Sequence, residues 1–185
     1  MTNNTIAYNV YLISSTTLKK RSLVTDPTLD YLCKPAIECA QKIGLRGIIG
    51  DCLLEKLQYL VSTKDEETGN MLINLDEYSN YRILLLRYVT DYLCYSCMSY
   101  IVINAREKIR NAGVVNTSDN NYQQPTFNEI TYTKRYFDDL SQYYATRLRE
   151  YIEKNTSIFP EYNACDSCGD KNGKLSNTYH CSIVL

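Results

Sequence analysis

The stretch TFNEITYTKRYFDDLSQYYATRLREYIEK, residues 126–154, predicts one long amphipathic helix and decides the fold class of the chain. Thr126 with Glu129 three residues later forms a capping box, the pattern that starts a helix. The helix should reach about Lys154, a length of roughly 40 Å, and Pro160 prevents its continuation. One face is marked by side chains in steps of three and four: Ile130, Thr133, Phe137, Leu140, Tyr144, Leu148 and Tyr151.

Upstream, a first helical pattern begins with Asp26 as a candidate N-cap and Pro27 at the first helical position. Pro35 should kink or split this helix, and Gly44 should end it, so that GLRG at 44–47 is a helix break. The apolar stripe that predicts the helix consists of Leu29, Leu32, Cys33, Ala36, Ile37 and Ala40.

Two further helical regions follow. GIIGDCLLEKLQYLV, 47–61, carries an apolar side, and the polar stretch 62–77 predicts a connecting loop. A third region, 78–112, contains no Gly or Pro and predicts one long helix or two helices with a bend near Val89–Asp91. NAG at 111–113 is typical of a helix C-cap, with Gly113 free to take a positive φ. The apolar side of the second helix is formed by Ile49, Leu53, Leu57 and Leu60.

These patterns together predict an all-α fold, a bundle of about four to five helices with extended N- and C-terminal arms. The N-terminal arm comprises residues 1–24, and NVYLI at 9–13 fits either a strand or an extended segment. The helical domain comprises 25–162. Residues 163–185 are rich in Gly, Asn and Ser and hold too little apolar mass to fold alone. They predict an extended C-terminal arm that ends in the apolar Ile183, Val184 and Leu185.

Composition narrows the function classes. The formal net charge is −1, and KKR at 19–21 is the one basic run, which argues against sequence-independent binding to a phosphate backbone. No apolar run approaches the roughly 18 to 20 residues that span a bilayer, and the N-terminus lacks a secretory signal pattern. We therefore expect no membrane association and synthesis in a cytosol. The 18 tyrosines and absent tryptophan fit partly covered surfaces between subunits, or an AT-rich coding sequence.

Cysteines in a cytosol are expected to stay thiols. Near the end of the chain, Cys165, Cys168, His180 and Cys181 have residue types and spacings that zinc accepts. The adjacent His180 and Cys181 are poorly placed to bind one ion together, so plain thiols on an arm are the preferred interpretation, and we assign no metal site. Five other cysteines lie in apolar helical patterns and are expected to be small core residues: Cys33, Cys39, Cys52, Cys94 and Cys97.

The sequence supplies no catalytic constellation, and we assign no catalytic or cofactor-binding residue and no enzymatic activity. His180 is the sole histidine, and it lies in the segment least able to orient it. Glu66–Glu67 and Asp138–Asp139 are adjacent pairs. Neighbours in sequence on a helix do not share a face, so neither pair suggests acid–base chemistry.

Three blocks together resemble the head-to-tail connector proteins of crAss-like bacteriophages. The first, LCKPAIECAQKIGLRGIIGDCLLEKL at 32–57, has a helix with an internal proline, then Ala-Gln, an Ile-Ile-Gly step and a leucine-rich helix. KIRNAGVV at 108–115 and YATRLREYIEKNTSIFPEY at 144–162 resemble the later blocks of that family, in the same order. The similarity covers roughly residues 10–162 and leaves the C-terminal arm outside it.

The resemblance implies a virion structural protein, an all-α adaptor that assembles as a twelvefold homo-oligomeric ring. The ring would lie in the virion neck, between the portal protein and other neck or tail ring proteins, after assembly in the host cytoplasm. DNA would pass through its central channel without sequence-specific binding. An alternative remains open at this point: a zinc-stabilised binding module that acts through the C-terminal Cys/His arm.

Overall fold

The computed structural model describes residues 10–22, 30–110, 113–116 and 126–164. In these ranges the chain forms helices and one short β-hairpin, and the predicted all-α class is confirmed. The α-helices and strands in chain order are α1 (Ser15–Arg21), α2 (Asp30–Cys39), α3 (Arg46–Ser62), α4 (Ser79–Leu84), α5 (Thr90–Arg106), β1 (Glu107–Arg110), β2 (Gly113–Asn116), α6 (Phe127–Lys154) and α7 (Glu161–Ala164). π-helical segments at Ala40–Leu45 and Leu85–Val89 join α2 to α3 and α4 to α5, and short 3₁₀ helices at Leu72–Asn74 and Asp76–Tyr78 precede α4.

Helix α6 confirms the prediction made from residues 126–154. The Thr126 backbone N–H donates to the Glu129 carboxylate at 2.7 Å, and the Thr126 hydroxyl accepts from the Glu129 backbone N–H at 3.4 Å, which completes the capping box. Phe137 and Leu148 on the predicted apolar face are buried in the core. The local start signal and the long period were therefore sufficient to place this helix.

The run from α2 to α3 differs from the prediction. Pro35 lies inside α2 and does not split it, and the helix continues past Gly44 through the π segment into α3. The break lies at Gly50, where φ is 77° and ψ is 170°. A positive φ of this kind suits glycine because a side chain would crowd the neighbouring carbonyl. The apolar side predicted for α3 is confirmed, since Ile49, Leu53, Leu57 and Leu60 are fully buried.

Gly44 serves packing instead of ending a helix. A Cβ atom built at this position would lie 2.2 Å from the Tyr92 hydroxyl oxygen. Tyr92 is itself buried, and its burial raises the pKa of the phenol to about 12. The absence of a side chain at Gly44 therefore lets the π segment approach α5 closely.

The third helical region ends earlier than predicted. The π segment at Leu85–Val89 overlaps the expected bend, but the helix stops at Arg106 instead of near residue 112. An antiparallel hairpin follows, in which Ile109 pairs with Val114 and Arg110 with Gly113. Gly113 is thus a strand residue and not a helix cap. The β-branched side chains of this stretch favour an extended backbone over a further helical turn.

The N-terminal segment 10–22 packs on its own chain, so the expectation of an arm is wrong over this stretch. Leu12, Ile13 and Leu18 are buried in the core. The buried Gln41 side chain holds the extended part from both sides: its Oε1 accepts from the Leu12 N–H at 2.9 Å, and its Nε2 donates to the Val10 carbonyl at 2.8 Å. Residues 1–9 and 23–29, with the candidate cap Asp26–Pro27, lie outside the described residues.

The C-terminal end of the described domain is anchored by aromatic and polar contacts. After α6, Phe159 is fully buried, with its ring 5.3 Å from that of Tyr81. The Tyr81 hydroxyl donates to the Glu161 carboxylate at 2.9 Å, and burial and this carboxylate both raise the pKa of Tyr81. Asn163 and Ala164, the first two residues of the predicted extended arm, belong to helix α7. Residues 165–185 lie outside the described residues, so the rest of the arm stays a prediction.

Replacing Gly44 with alanine should destabilise the domain by about 1–3 kcal/mol, because the new methyl group overlaps the buried Tyr92 hydroxyl. Urea unfolding followed by circular dichroism measures the loss. Gly47→Ala is the matched control, since a Cβ there meets nothing within 4 Å, and alanine in a helix should stabilise by up to about 1 kcal/mol. The double variant Gly44→Ala/Tyr92→Phe should recover part of the loss, and equal effects at Gly44 and Gly47 would contradict this packing role.

Replacing Gln41 with alanine should cost about 1–3 kcal/mol, because it leaves the Leu12 N–H buried without its acceptor. Hydrogen exchange should show faster exchange at Leu12 and Ile13, with little change in α6. Gln142→Ala, at an exposed position of α6, should change stability by less than about 0.5 kcal/mol. Unchanged protection of residues 12–13 in the Gln41 variant would show that the amide does not hold this segment.

Candidate interaction surface

Stacked tyrosines join α6 to the run α4–α5. The rings of Tyr88 and Tyr151 stack with centroids 4.2 Å apart, and those of Tyr95 and Tyr144 stack at 4.9 Å. On each helix the two tyrosines are seven residues apart, so an antiparallel pair of helices brings both pairs into register. We call these four residues the tyrosine seam. The seam determines which face of α6 points into the bundle.

Arg147 extends the seam outward. Its guanidinium carbon lies 5.9 Å from the ring centroid of Tyr88, 5.8 Å from Tyr143 and 5.9 Å from Tyr144. Each distance is within the range of a cation–π contact. One cation is thereby held against three rings at the edge of the helix pair, and it places a positive charge beside the exposed Tyr143.

The outward face of α6 carries tyrosines as well. Tyr132, Tyr136 and Tyr143 are 76 %, 60 % and 56 % exposed, and their spacing of four and seven residues places them on one side of the helix. This side is opposite the buried Ala145 and Ile152. We call these three residues the tyrosine face. Large aromatic side chains exposed in a row are typical of contact surfaces.

Exposed aliphatic side chains occur elsewhere on the domain. Ile83 and Leu86 lie three residues apart on the run α4–α5 and are 38 % and 52 % exposed, and Ile43 in the π segment after α2 is 52 % exposed. The described chain therefore presents two chemically different sets of exposed apolar residues on different helices. One set is aromatic and the other aliphatic.

A groove of about 260 Å³ lies between α1, α5 and α6. Two residues of the predicted basic run, Lys20 and Arg21, stand beside it, and Arg21 forms an ion pair with Asp91. The structure therefore uses part of the KKR run to tie α1 to α5. The groove is lined by Lys20, Arg21, Ser22, Cys94, Tyr95, Met98, Tyr136 and Phe137.

The predicted role of small core thiol is confirmed for Cys33, Cys94 and Cys97. Cys33, Cys94 and Cys97 are buried thiols, and Cys39 is a half-buried one. Burial raises the pKa of the Cys94 thiol to about 11 and raises that of Cys97 as well, which keeps both protonated at neutral pH. Cys52 is disulfide-bonded, so the prediction of a thiol is wrong at this position.

The candidate zinc ligands Cys165, Cys168, His180 and Cys181 all lie outside the described residues. Their role, and with it the hypothesis of a zinc-stabilised module, stays a prediction. Over residues 10–22, 30–110, 113–116 and 126–164, no group of three or more His, Cys, Asp or Glu side chains is arranged to hold a metal ion. The zinc hypothesis thus concerns the C-terminal segment alone.

Asp138 and Asp139 have different surroundings in the structure, whereas Glu66 and Glu67 share one exposed turn. Asp138 accepts from the Ser99 hydroxyl at 2.5 Å and forms an ion pair with Lys134, while Asp139 is exposed on the outer side of α6. Glu66 and Glu67 lie on the exposed turn between α3 and α4. Asp138 therefore joins α6 to α5, and its neighbour points elsewhere.

Sequence reasoning missed the tyrosine face, although its signal is present. The four- and seven-residue spacing of Tyr132, Tyr136 and Tyr143 is a second helical stripe, about 100° around the helix from the apolar one. The missing step was to assign the aromatic residues of one helix to two faces.

In the described part of the chain, no helix is both long and apolar enough to cross a bilayer.

Residues 45–172, more than half of the chain, match a family described as a family of unknown function, DUF6712. The chain belongs to this family. No curated protein matches the chain, and no solved structure matches it. The matched range of the DUF6712 family includes α3, the tyrosine seam and the tyrosine face.

The two groups of tyrosines should respond differently to mutation. Tyr144→Ala should destabilise the domain by about 1–3 kcal/mol, because it removes a half-buried stacked ring of the seam. Tyr132→Ala should change stability by less than about 0.5 kcal/mol, because its ring is mostly in solvent. Urea unfolding of both variants tests this difference. A large loss at Tyr132 would mean that the tyrosine face belongs to the fold and is not a contact surface.

Proposed function

We propose that this chain is a virion structural protein, the head-to-tail connector subunit of a crAss-like bacteriophage neck. Its subunits assemble into a twelvefold ring between the portal protein and other neck or tail ring proteins. The ring surrounds a channel through which DNA passes without sequence-specific binding. The observation that carries the proposal is the pair of dissimilar exposed apolar sets, aromatic on α6 and aliphatic on Ile43, Ile83 and Leu86.

A ring of identical subunits repeats one heterologous contact until it closes. Such a contact joins two different surfaces, so every subunit must present both. The tyrosine face is one candidate, and the exposed Ile83 and Leu86 on the run α4–α5 form the other. Tyrosine suits a contact that is wet before assembly and covered afterwards, because its ring is apolar and its hydroxyl keeps a polar partner.

The blocks that resemble the connector family support the same proposal. Block 32–57 contributes Gln41, Gly44 and the buried side of α3, while block 144–162 contributes half of the tyrosine seam and the Phe159 anchor. Block 108–115 covers most of the hairpin that ends the run α4–α5. Residues that are scattered in sequence therefore build one domain, as expected for blocks that specify a shared fold.

Native mass spectrometry and negative-stain electron microscopy of the purified chain test the proposal. We expect closed rings of twelve subunits with a visible central channel, formed alone or on addition of a portal ring. Leu86→Glu should prevent ring closure because it places a charge within the aliphatic set. Asn70→Glu adds the same charge on the exposed loop before α4 and should leave assembly unchanged. A chain that stays monomeric under all these conditions would overturn the proposal.

A further inference from the structure

The outer side of α6 has a symmetric pattern of residues about Tyr143. Asp139 and Arg147 lie four residues before and after it, and Tyr136 and Glu150 lie seven residues before and after it. All five side chains are exposed. At about 100° per residue they fall within an arc of about 80° on the side opposite the buried Ala145 and Ile152. The five residues form one stripe that is four turns long.

From this pattern we infer that two copies of the chain pair through the outer side of α6, antiparallel, with Tyr143 on the twofold axis. In that arrangement each residue before Tyr143 faces the residue equally far after it in the other copy. Asp139 then meets Arg147, and the Tyr136 hydroxyl meets the Glu150 carboxylate. The twofold axis repeats each contact, which gives two ion pairs and two hydrogen bonds across the interface.

The charges select the antiparallel orientation. A parallel pair in register places Asp139 against Asp139 and Arg147 against Arg147, and like charges at such short range repel. The antiparallel pair replaces both repulsions with attractions. It also places the positive N-terminal end of each helix dipole beside the negative C-terminal end of the other, which is the favourable arrangement. The stripe's steps of three, four, four and three residues are spacings at which side chains share one face of a helix.

The charged residues of the stripe are available for this contact. Among the described residues, no ion pair or side-chain hydrogen bond engages Asp139 or Glu150. Arg147 lies over the rings of Tyr88, Tyr143 and Tyr144. A guanidinium stacked on an aromatic ring retains its N–H edge for a carboxylate. The cation–π contacts thus pre-position the basic partner of Asp139.

The charges also identify a second copy as the partner. The stripe alternates acidic and basic positions, so it does not complement a uniformly anionic surface such as nucleic acid or a phospholipid bilayer. It does complement itself when reversed. The pairing does not depend on the proposed function. The consequence of the pairing for assembly does rest on that function, because a twofold pair covers the tyrosine face that ring closure needs.

Analytical ultracentrifugation of the full chain, with its Cys52 disulfide intact and over a range of concentrations, tests the pairing. We expect a monomer–dimer equilibrium at concentrations below ring assembly. Asp139→Arg and Arg147→Asp should each raise the dissociation constant about tenfold or more, because each creates two like-charge contacts. The double variant should restore dimerisation. Glu66→Arg makes the same charge change on the exposed turn after α3 and should have no effect.

The double variant separates pairing from stability. Arg147→Asp also removes the cation–π contacts within the chain, and a second charge reversal cannot repair those. Restored dimerisation therefore reports the Asp139–Arg147 contact alone. A double variant as weak as the singles, or a wild-type chain that shows no dimer, overturns the inference. A dimer found together with an inability to form rings overturns the proposed function and leaves the pairing intact.

Discussion

The stacking of tyrosines between α6 and the run α4–α5 is the contact on which the rest of the domain depends. Two ring pairs with the same seven-residue spacing lock both the direction and the register of α6. A slip of one residue would turn Tyr144 and Tyr151 away from their partners by about 100°. The same orientation of α6 buries Phe137, Leu148 and Ile152. It exposes Tyr132, Tyr136 and Tyr143 to solvent. One interface therefore decides both the core and the candidate contact surface.

The run α2–α3 supplies the second constraint, through the missing side chain of Gly44 and the side-chain amide of Gln41. Gly44 leaves room for Tyr92, which brings the π segment against α5. On the same segment, Gln41 provides the donor and acceptor that an extended chain would find in a β-sheet. A buried amide that satisfies both a backbone N–H and a carbonyl avoids the desolvation cost of either group. The N-terminal segment is thereby attached to the bundle without a strand partner.

Local signals were enough for part of this structure. The Thr126–Glu129 box and the long apolar period lie within α6 itself, so the sequence alone located its start and end. The break in the run α2–α3 was placed at Gly44 instead of at Gly50 within α3, because the role of Gly44 is set by Tyr92, which is distant in sequence. The end of α5 was missed because residues 107–110 contain no Gly or Pro to stop a helix. The packing of residues 10–22 was missed because its hydrogen-bond partners, the side chains of Gln41 and Gln58, are distant in sequence.

Tyrosine on the outer side of α6 suits a surface that is hydrated in the free chain and covered in the proposed assembly. Leucine at positions 132, 136 and 143 would give more apolar area but would expose a stripe prone to non-specific association. The phenol ring offers comparable area for a contact, and its hydroxyl is hydrated in the free subunit and finds a polar partner in a complex. The interspersed Asp139, Arg147 and Glu150 then restrict which surfaces fit, because charges discriminate between partners more than they add affinity. A helix built in this way keeps one face for its own fold and, in the assembly proposed above, a second, weaker and more selective one for another chain.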